Sequence, residues 1–270
     1  MSNLQLRVIS AVVLAVIALG LTWLGSLPFR LLCAAMSAMI FYEWTRMSRP
    51  AVNGLSFLPE ALVVVFIGAL IGGLSASWLL LLVAFLTAVT AIAAQVRKTG
   101  QWEASGLAYA SVSGLSLALL RDGDNSGLVA ILFLFAVVWA TDIFAYFVGR
   151  AIGGPKLAPS ISPGKTRSGA LGGAVGGVVA GVMLAAAAGA GNLALLGLVA
   201  LVLSIVAQAG DLFESWVKRR HGCKDSGMLI PGHGGVMDRV DGLVAAALAL
   251  YVIGWISAGA DHPAQGLFPI

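Results

Sequence analysis

Long uninterrupted apolar runs limit what this 270-residue chain can fold into. Each is close to the roughly 20 residues that a helix needs to cross a bilayer. A membrane-spanning β-strand would instead alternate over about 10 residues. Only 10% of the residues are charged, against roughly 25% in a soluble domain. The sequence therefore predicts an all-α polytopic membrane protein with about nine transmembrane helices, in the runs 6–24, 27–46, 55–74, 77–95, 104–120, 127–149, 169–189, 193–217 and 242–259.

The basic residues are distributed unevenly between these runs. If the N-terminus is cytoplasmic, 14 of the 16 Lys and Arg residues, all but Arg30 and Arg121, fall on the cytoplasmic side. Such a bias is typical of the cytoplasmic side of membrane proteins. The pattern predicts a cytoplasmic N-terminus and an external C-terminus. It also accounts for the net charge of +4 without a nucleic-acid partner, and we expect none.

One apolar run has a regular glycine pattern. Gly169, Gly173, Gly177 and Gly181 recur at every fourth position. Small residues at this spacing let helices approach closely in a bilayer. The pattern predicts a tightly packed helix and not a phosphate-binding loop, because such a loop could not form inside a span.

Two charged segments, 150–168 and 218–241, fall on the predicted cytoplasmic side. We divide the chain into an N-terminal region, 1–126, with about five spans, and a C-terminal region, 127–270, that carries both loops. Prolines in the first loop exclude a continuous helix. Phosphate binding is one interpretation of this loop, and ordinary topology-setting charge is the other. Its ammonium and hydroxyl donors are Lys156, Ser160, Ser162, Lys165 and Thr166.

Carboxylates provide the second candidate chemistry. Asp142 and Asp211 lie within apolar runs, where acids are costly and mark functional sites. Asp238 and Asp241 are three residues apart and lead into the last run. These oxygens suit a hard cation such as Mg²⁺, which one or two carboxylates hold while substrate phosphates complete its shell. The alternatives are ion pairs with neighbouring Lys or Arg for the first two, and capping of the last helix by one of the last two.

The second loop concentrates further polar groups. The spacing of His221, Cys223 and His233 matches no common zinc pattern, so we expect hydrogen-bonding roles for both histidines. Acids for a metal and cations for phosphates, at a membrane face, indicate metal-assisted phosphoryl or nucleotidyl transfer involving a lipid. A proton-coupled transporter also uses intramembrane acids and is the alternative from another class.

Three motifs follow one another in this region: SxVKR from Ser215, KDxG from Lys224 and PxHGGVxDRVD from Pro231. Together they resemble the signature of the phosphatidate cytidylyltransferases, or CDP-diacylglycerol synthases. The resemblance extends to AYF at 145–147, to LAP and SPGKT within 157–166, and to GDLxE at 210–214. It covers the C-terminal half well, and the N-terminal half only as generic spans.

The resemblance implies a reaction of CTP with phosphatidate that gives CDP-diacylglycerol and pyrophosphate in phospholipid biosynthesis. It implies Mg²⁺ held by Asp211 and Asp238, with Asp142 and Asp241 as further metal-shell groups; a second cation, monovalent or divalent, is left open. It also implies an integral protein of a bacterial-type inner membrane whose active site, in the C-terminal region, faces the cytoplasm. A homodimer is left open.

The resemblance also implies roles for the polar residues of the motifs. The catalytic group comprises Asp211, Asp238, Lys224, Asp225, His233 and Arg239. The substrate-binding group comprises Ser162, Lys165, Thr166, Ser215, Lys218, Arg219, Gly234 and Gly235.

The chain departs from the family pattern at one place. After the SPGKT motif the family has an aromatic residue and an acid before glycine, whereas here Arg167 and Ser168 precede Gly169. The closest rival function is a CTP-dependent lipid-alcohol kinase of the same wider group, which would release CDP instead of pyrophosphate.

Overall fold

The computed structural model describes residues 3–48, 57–230 and 234–269. That part of the chain contains nine α-helices and one short hairpin, and each predicted apolar run corresponds to one helix, so the all-α prediction is confirmed. The helices are α1 (Asn3–Leu24), α2 (Ser26–Ser48), α3 (Leu58–Gly72), α4 (Ala76–Arg97), α5 (Trp102–Arg121), α6 (Asn125–Ile152), α7 (Arg167–Ala187), α8 (Leu193–Arg220) and α9 (Met237–Ala258). The hairpin consists of β1 (Lys156–Ala158) and β2 (Ser162–Thr166).

Six helices in the described ranges, α4 to α9, are long and apolar enough to cross a membrane. The apolar part of α1, Val8–Leu24, and the whole of α3 are shorter. Helix α2 is long, but Arg30, Glu43 and Arg46 lie within it. These features show an integral, polytopic membrane protein. The count of nine spans and the orientation stay predictions.

The chain forms two compact units. The first comprises Met1–Leu119 and His221–Arg239, and the second comprises Leu120–Arg220 and Val240–Ile270. The sequence-based division between residues 126 and 127 stays a prediction.

In the first unit, α2 packs against α5 through a large buried aromatic residue. The Trp44 indole Nε1 donates a hydrogen bond to the Trp102 carbonyl oxygen at 2.8 Å, and its ring lies 5.3 Å from that of Tyr109. A Cβ atom at Gly106 would collide with the Trp44 ring, so glycine provides the space for it. Glu43, the residue before this tryptophan, is therefore held in a well-packed part of α2.

In the second unit, the glycines of α7 lie against α6. A Cβ atom at Gly173 would lie 2.8 Å from the Thr141 carbonyl oxygen, and one at Gly181 would lie 2.8 Å from Cγ2 of Val137. The predicted close packing of this helix is confirmed. A 2.7 Å hydrogen bond between the buried hydroxyls of Thr141 and Ser204 joins α6 to α8.

The structure differs from the sequence prediction at the ends of several elements. The loop 150–168 contains the antiparallel β1–β2 hairpin, in which Lys156 pairs with Thr166. Helix α9 begins at Met237, five residues before the predicted run. Asp238 and Asp241 therefore lie inside the first turns of this helix. Backbone N–H groups at its start are satisfied by carboxylates, which lets the helix begin before its apolar stretch.

Candidate active site

A cavity of about 690 Å³ lies in the second unit, within the size range of about 300–1,000 Å³ that is usual for small-molecule sites. Its walls are formed by α6, the hairpin, the N-terminal part of α7, and α8. The polar residues among those that line it are Asp142, Tyr146, Arg150, Lys156, Lys165, Thr166, Gln208 and Asp211. The cavity thus combines carboxylates with cations. The metal and phosphate roles of these residues stay predictions.

The centre of this wall is an ion pair between Lys165 of β2 and Asp211 of α8. Both side chains are about 30% exposed, at 28% and 31%, so the pair is accessible from the cavity. The Ser215 hydroxyl, one turn further along α8, donates a 3.4 Å hydrogen bond to the carboxylate of Asp211. Gln208, nearly one turn earlier in α8, also lines the cavity.

Two further acids lie near this ion pair. Asp142 and Asp241 each interact electrostatically with Asp211 and with Lys165. A Cβ atom at Gly210 would lie 2.8 Å from the Asp241 carbonyl oxygen, so glycine lets α9 approach α8 beside Asp211. The second unit therefore concentrates three carboxylates around one ammonium group.

The carboxylates of the cavity provide a donor set that suits Mg²⁺ bound together with phosphate. In the described ranges of the chain, no group of three or more His, Cys, Asp or Glu residues is arranged as a metal site. Asp142 and Asp211 nevertheless both line the cavity. Since one or two carboxylates commonly hold Mg²⁺ when phosphate oxygens supply the rest of its shell, these two residues fit that ion.

The hairpin and the start of α7 hold Lys165 and Thr166 at the cavity. The Thr166 hydroxyl accepts a 3.1 Å hydrogen bond from the Gly169 amide and so caps α7. The Ser168 hydroxyl donates to the Gly153 carbonyl oxygen, just beyond the end of α6. At the position where the motif resemblance implies an acid, this chain has a hydroxyl that ties the two ends of the hairpin segment together.

Not every predicted substrate-binding residue lies at the cavity. Ser162 lies at the start of β2, opposite Ala158, and is not among the lining residues. The Lys218 ammonium pairs at 2.5 Å with Glu214, which is 1% exposed and four residues earlier in α8. Arg219 is exposed.

The predicted residues of the first unit lie in the segment 221–239, here called the signature loop. The Asp238 carboxylate accepts hydrogen bonds from the backbone N–H of Ser226, at 3.0 and 3.2 Å, and of Gly235, at 2.9 Å. Gly234 has a positive φ of 88°, which favours glycine. Asp238 thus organises the backbone of this loop.

Three charged residues of the signature loop, Lys224, Asp225 and Arg239, are exposed. The predicted phosphate-contacting residue His233 lies outside the described residues. His221 packs edge-on against the Trp102 ring at 4.5 Å, and Cys223 contacts the His221 carbonyl oxygen through its thiol at 3.5 Å.

Sequence reasoning left three residues outside the assigned site. Arg150 lines the cavity but was marked only as a topology charge, and Lys156 lines it after being named as a donor of a loop with two interpretations. Arg150 lies one turn after Tyr146, whose hydroxyl accepts its hydrogen bond at 3.0 Å. The third residue is Glu43 of α2, whose carboxylate is buried in the first unit and contacts the signature loop. An acid inside an apolar run was the available signal for it.

Comparisons with known proteins agree with the motifs. A family model described as the cytidylyltransferase family matches residues 5–257. A protein of Brucella suis biovar 1 (strain 1330) named phosphatidate cytidylyltransferase is 50% identical, over 99% of this chain and 99% of its own length. Proteins with the same name from Pseudomonas aeruginosa and Bacillus subtilis are 36% and 33% identical, over 93% and 94% of this chain and 98% of their own length.

Proposed function

The chain belongs to the cytidylyltransferase family, and on that basis we propose that it is a phosphatidate cytidylyltransferase of phospholipid biosynthesis. The reaction joins CTP and phosphatidate and gives CDP-diacylglycerol and pyrophosphate. The motifs of the C-terminal half and the names of full-length relatives support this function.

The observation that carries the proposal is the cavity of the second unit, where carboxylates and cations share one wall. The lipid phosphate is already anionic at neutral pH, so a strong general base is not needed. The difficulty is to bring an anionic nucleophile against an anionic triphosphate. Cations such as Lys165, Arg150 and Lys156 reduce this repulsion when they face the reacting phosphates.

In the proposed step, an oxygen of the lipid phosphate attacks the α-phosphorus of CTP. A new P–O bond forms there, the bond from the α-phosphorus to the bridging oxygen breaks, and pyrophosphate leaves with the bonding electron pair. No proton has to be transferred for this exchange. The side chains therefore contribute by binding, by alignment of the attacking and leaving oxygens, and by neutralising charge.

We propose Mg²⁺ as the cofactor, with Asp211 and Asp142 as its candidate protein ligands in the second unit. Asp238 and Asp241 keep the metal-shell role that the motif resemblance implies for each. When bound, Mg²⁺ would neutralise phosphate charge and polarise phosphate oxygens. The position of both carboxylates at the cavity supports this assignment. The ion pair of Asp211 with Lys165 is the alternative role that the sequence left open, and in this proposal Mg²⁺ would share or replace that contact.

We further propose nine spans, a cytoplasmic N-terminus and an active site on the cytoplasmic face of a bacterial-type inner membrane. The distribution of 14 of the 16 basic residues supports this orientation. Cysteine-accessibility labelling at the termini tests it, and labelling of the C-terminus from the cytoplasmic side would contradict it. The mass of the detergent-solubilised protein distinguishes a monomer from a homodimer.

The direct test is pyrophosphate release from CTP by purified protein, with and without phosphatidate and Mg²⁺. We expect release only when both are present, and CDP-diacylglycerol as the product by mass analysis. Release of CDP together with a phosphorylated lipid would identify a kinase. Flux across liposomes without nucleotide dependence would identify a transporter, and either result would refute the proposal.

A further inference from the structure

The carboxylate of Glu43 is the most deeply buried acid with described contacts to the signature loop, at 1% exposure. Its partners are the Ser226 hydroxyl at 3.0 Å and the backbone N–H groups of Val236 and Met237, both at 2.8 Å. Burying an unpaired carboxylate is strongly unfavourable. Among the described residues, the donors to Glu43 come from the signature loop, so folding of the loop against α2 compensates the buried charge.

The donors to Glu43 come from both ends of the segment 226–237. Ser226 is its first residue, and Val236 and Met237 are its last two, so one carboxylate fixes both ends. Asp238 joins the same two ends, since it accepts from the N–H groups of Ser226 and Gly235. Glu43 differs in that it connects the segment to a helix outside the loop.

Two glycines of the motif are explained by this contact. A Cβ atom at Gly227 would lie 2.7 Å from Oε1 of Glu43, and one at Gly235 would lie 2.7 Å from Oε2. Real Cβ atoms do not approach neighbours so closely, and Glu43 is held on both sides by its hydrogen bonds. At these two positions the loop therefore requires glycine, and at Gly235 the Ser226 hydroxyl oxygen lies closer still to the added Cβ.

The residues next to the donors are those that the motif identifies as catalytic. Lys224 and Asp225 come directly before Ser226, and Asp238 and Arg239 come directly after Met237. We infer that Glu43 is a positioning residue of the transferase: through the signature loop, it sets the backbone that carries these four side chains. This inference rests on the proposed function, because it concerns the same catalytic residues.

The decisive variant is Glu43→Gln, which keeps the size of the side chain. Its amide nitrogen would face the N–H of Met237, where the carboxylate now accepts a hydrogen bond. The matched control is Glu103→Gln, since Glu103 is also a buried acid of the first unit, 8% exposed, and lies 3.9 Å from Arg97. Ser226→Ala removes one donor to Glu43 without any change of charge.

Each protein is measured by amide hydrogen exchange over residues 224–239, by kcat and KM for CTP, and by thermal melting. We expect Glu43→Gln to increase exchange in the loop and to lower kcat by about 10- to 100-fold, because small misplacements of reacting groups have effects of this size. Ser226→Ala should shift both in the same direction by less. Glu103→Gln should lower the melting temperature only, with kcat within about twofold of the wild type.

Unchanged exchange in the loop of Glu43→Gln would overturn the inference. The inference would also be overturned if loop exchange increased in Glu43→Gln while its kcat equalled that of Glu103→Gln. If Glu43→Gln fails to insert, Ser226→Ala decides by the same two readings. If the wild-type protein does not turn over CTP, the proposed function is refuted. The exchange measurement still tests the contact of Glu43 with the signature loop in that case, because normal loop exchange in the variants would refute this contact.

Discussion

The two units use carboxylates in opposite ways. In the second unit, Asp211 pairs with the ammonium of Lys165 and, with Asp142, lines an open cavity. In the first unit, Glu43 and Asp238 accept hydrogen bonds from backbone N–H groups of the signature loop. A lysine side chain is flexible and can exchange its partner, whereas a backbone donor is fixed by the fold. The first kind of carboxylate is open to a ligand, and the second kind holds a loop in shape. Asp238 would combine this second role with the metal-shell role proposed for it.

The largest expected effect is that of Asp211→Asn. The change removes the charge that pairs with Lys165 and the proposed metal ligand, so we expect turnover to fall at least about 100-fold. Membrane insertion and the melting temperature should stay near those of the wild type. The measurement is lipid-dependent pyrophosphate release at saturating CTP.

The matched control is Asp122→Asn in the same unit. Asp122 also pairs with a basic side chain, His262 at 2.7 Å, but it does not line the cavity. An equal loss of turnover in both variants would remove the distinction between cavity carboxylates and other paired acids.

The next effect is that of Lys165→Gln, which removes the ammonium group from the cavity wall and leaves Asp211 without its cation. We expect kcat/KM for CTP to fall about 10- to 100-fold, as for the loss of one electrostatic contact to a reacting phosphate. Arg167→Gln is the control, since Arg167 is an exposed cation two residues later that is not among the cavity-lining residues. Equal values for the two variants would show that only the overall charge of the segment matters.

A smaller effect is expected for Lys156→Gln. Lys156 lines the same cavity from β1, but it is exposed, so water screens its charge. We expect KM for CTP or for phosphatidate to rise, with little change in kcat. The fold-change in KM should be smaller than the fold-change in kcat/KM of Lys165→Gln. A drop in kcat as large as that of Lys165→Gln would mean that the two lysines act equally on the reacting phosphates.

The smallest effect on activity is expected for Gly210→Ala, which acts through packing. The added methyl group would push against α9, where the Asp241 carbonyl oxygen lies only 2.8 Å from the Cβ position. Overpacking of this kind costs about 1–3 kcal/mol. The melting temperature should fall by several degrees, whereas Gly68→Ala, at a helical glycine with no atom within 4 Å of the added Cβ, should leave it unchanged. Equal melting temperatures would contradict the close α8–α9 contact.

Much of the fold could be read from local patterns. Apolar runs long enough for a helix predicted all nine helices of the described chain, because backbone groups in an apolar environment have to be satisfied within the helix. The glycine spacing predicted the close packing of α7 for the same local reason. The pattern could not reveal the β1–β2 hairpin, whose pairing of Lys156 with Thr166 depends on register and not on composition.

For the candidate site, motifs identified Asp211 and Lys165 but not their pairing. Arg150 was missed, and Lys156 was left between two interpretations, because a cytoplasmic cation has the same sequence signature whether it sets topology or binds a ligand. Glu43 was missed because its partner Ser226 lies 183 residues further along the chain. No periodic pattern carries information over such a separation.

The sequence by itself determined the membrane-protein class, the helices and the family, because hydrophobicity, spacing and motif letters are local properties of the chain. Only the tertiary structure decided which carboxylates line a cavity and which hold a loop. Asp211 and Glu43 are both acids inside apolar runs, and hydropathy does not separate them. The motif at 210–214 identified Asp211, but it did not identify the partner of either acid. Their roles differ because one meets a flexible ammonium group and the other meets fixed backbone donors, and such partners are brought together only by folding.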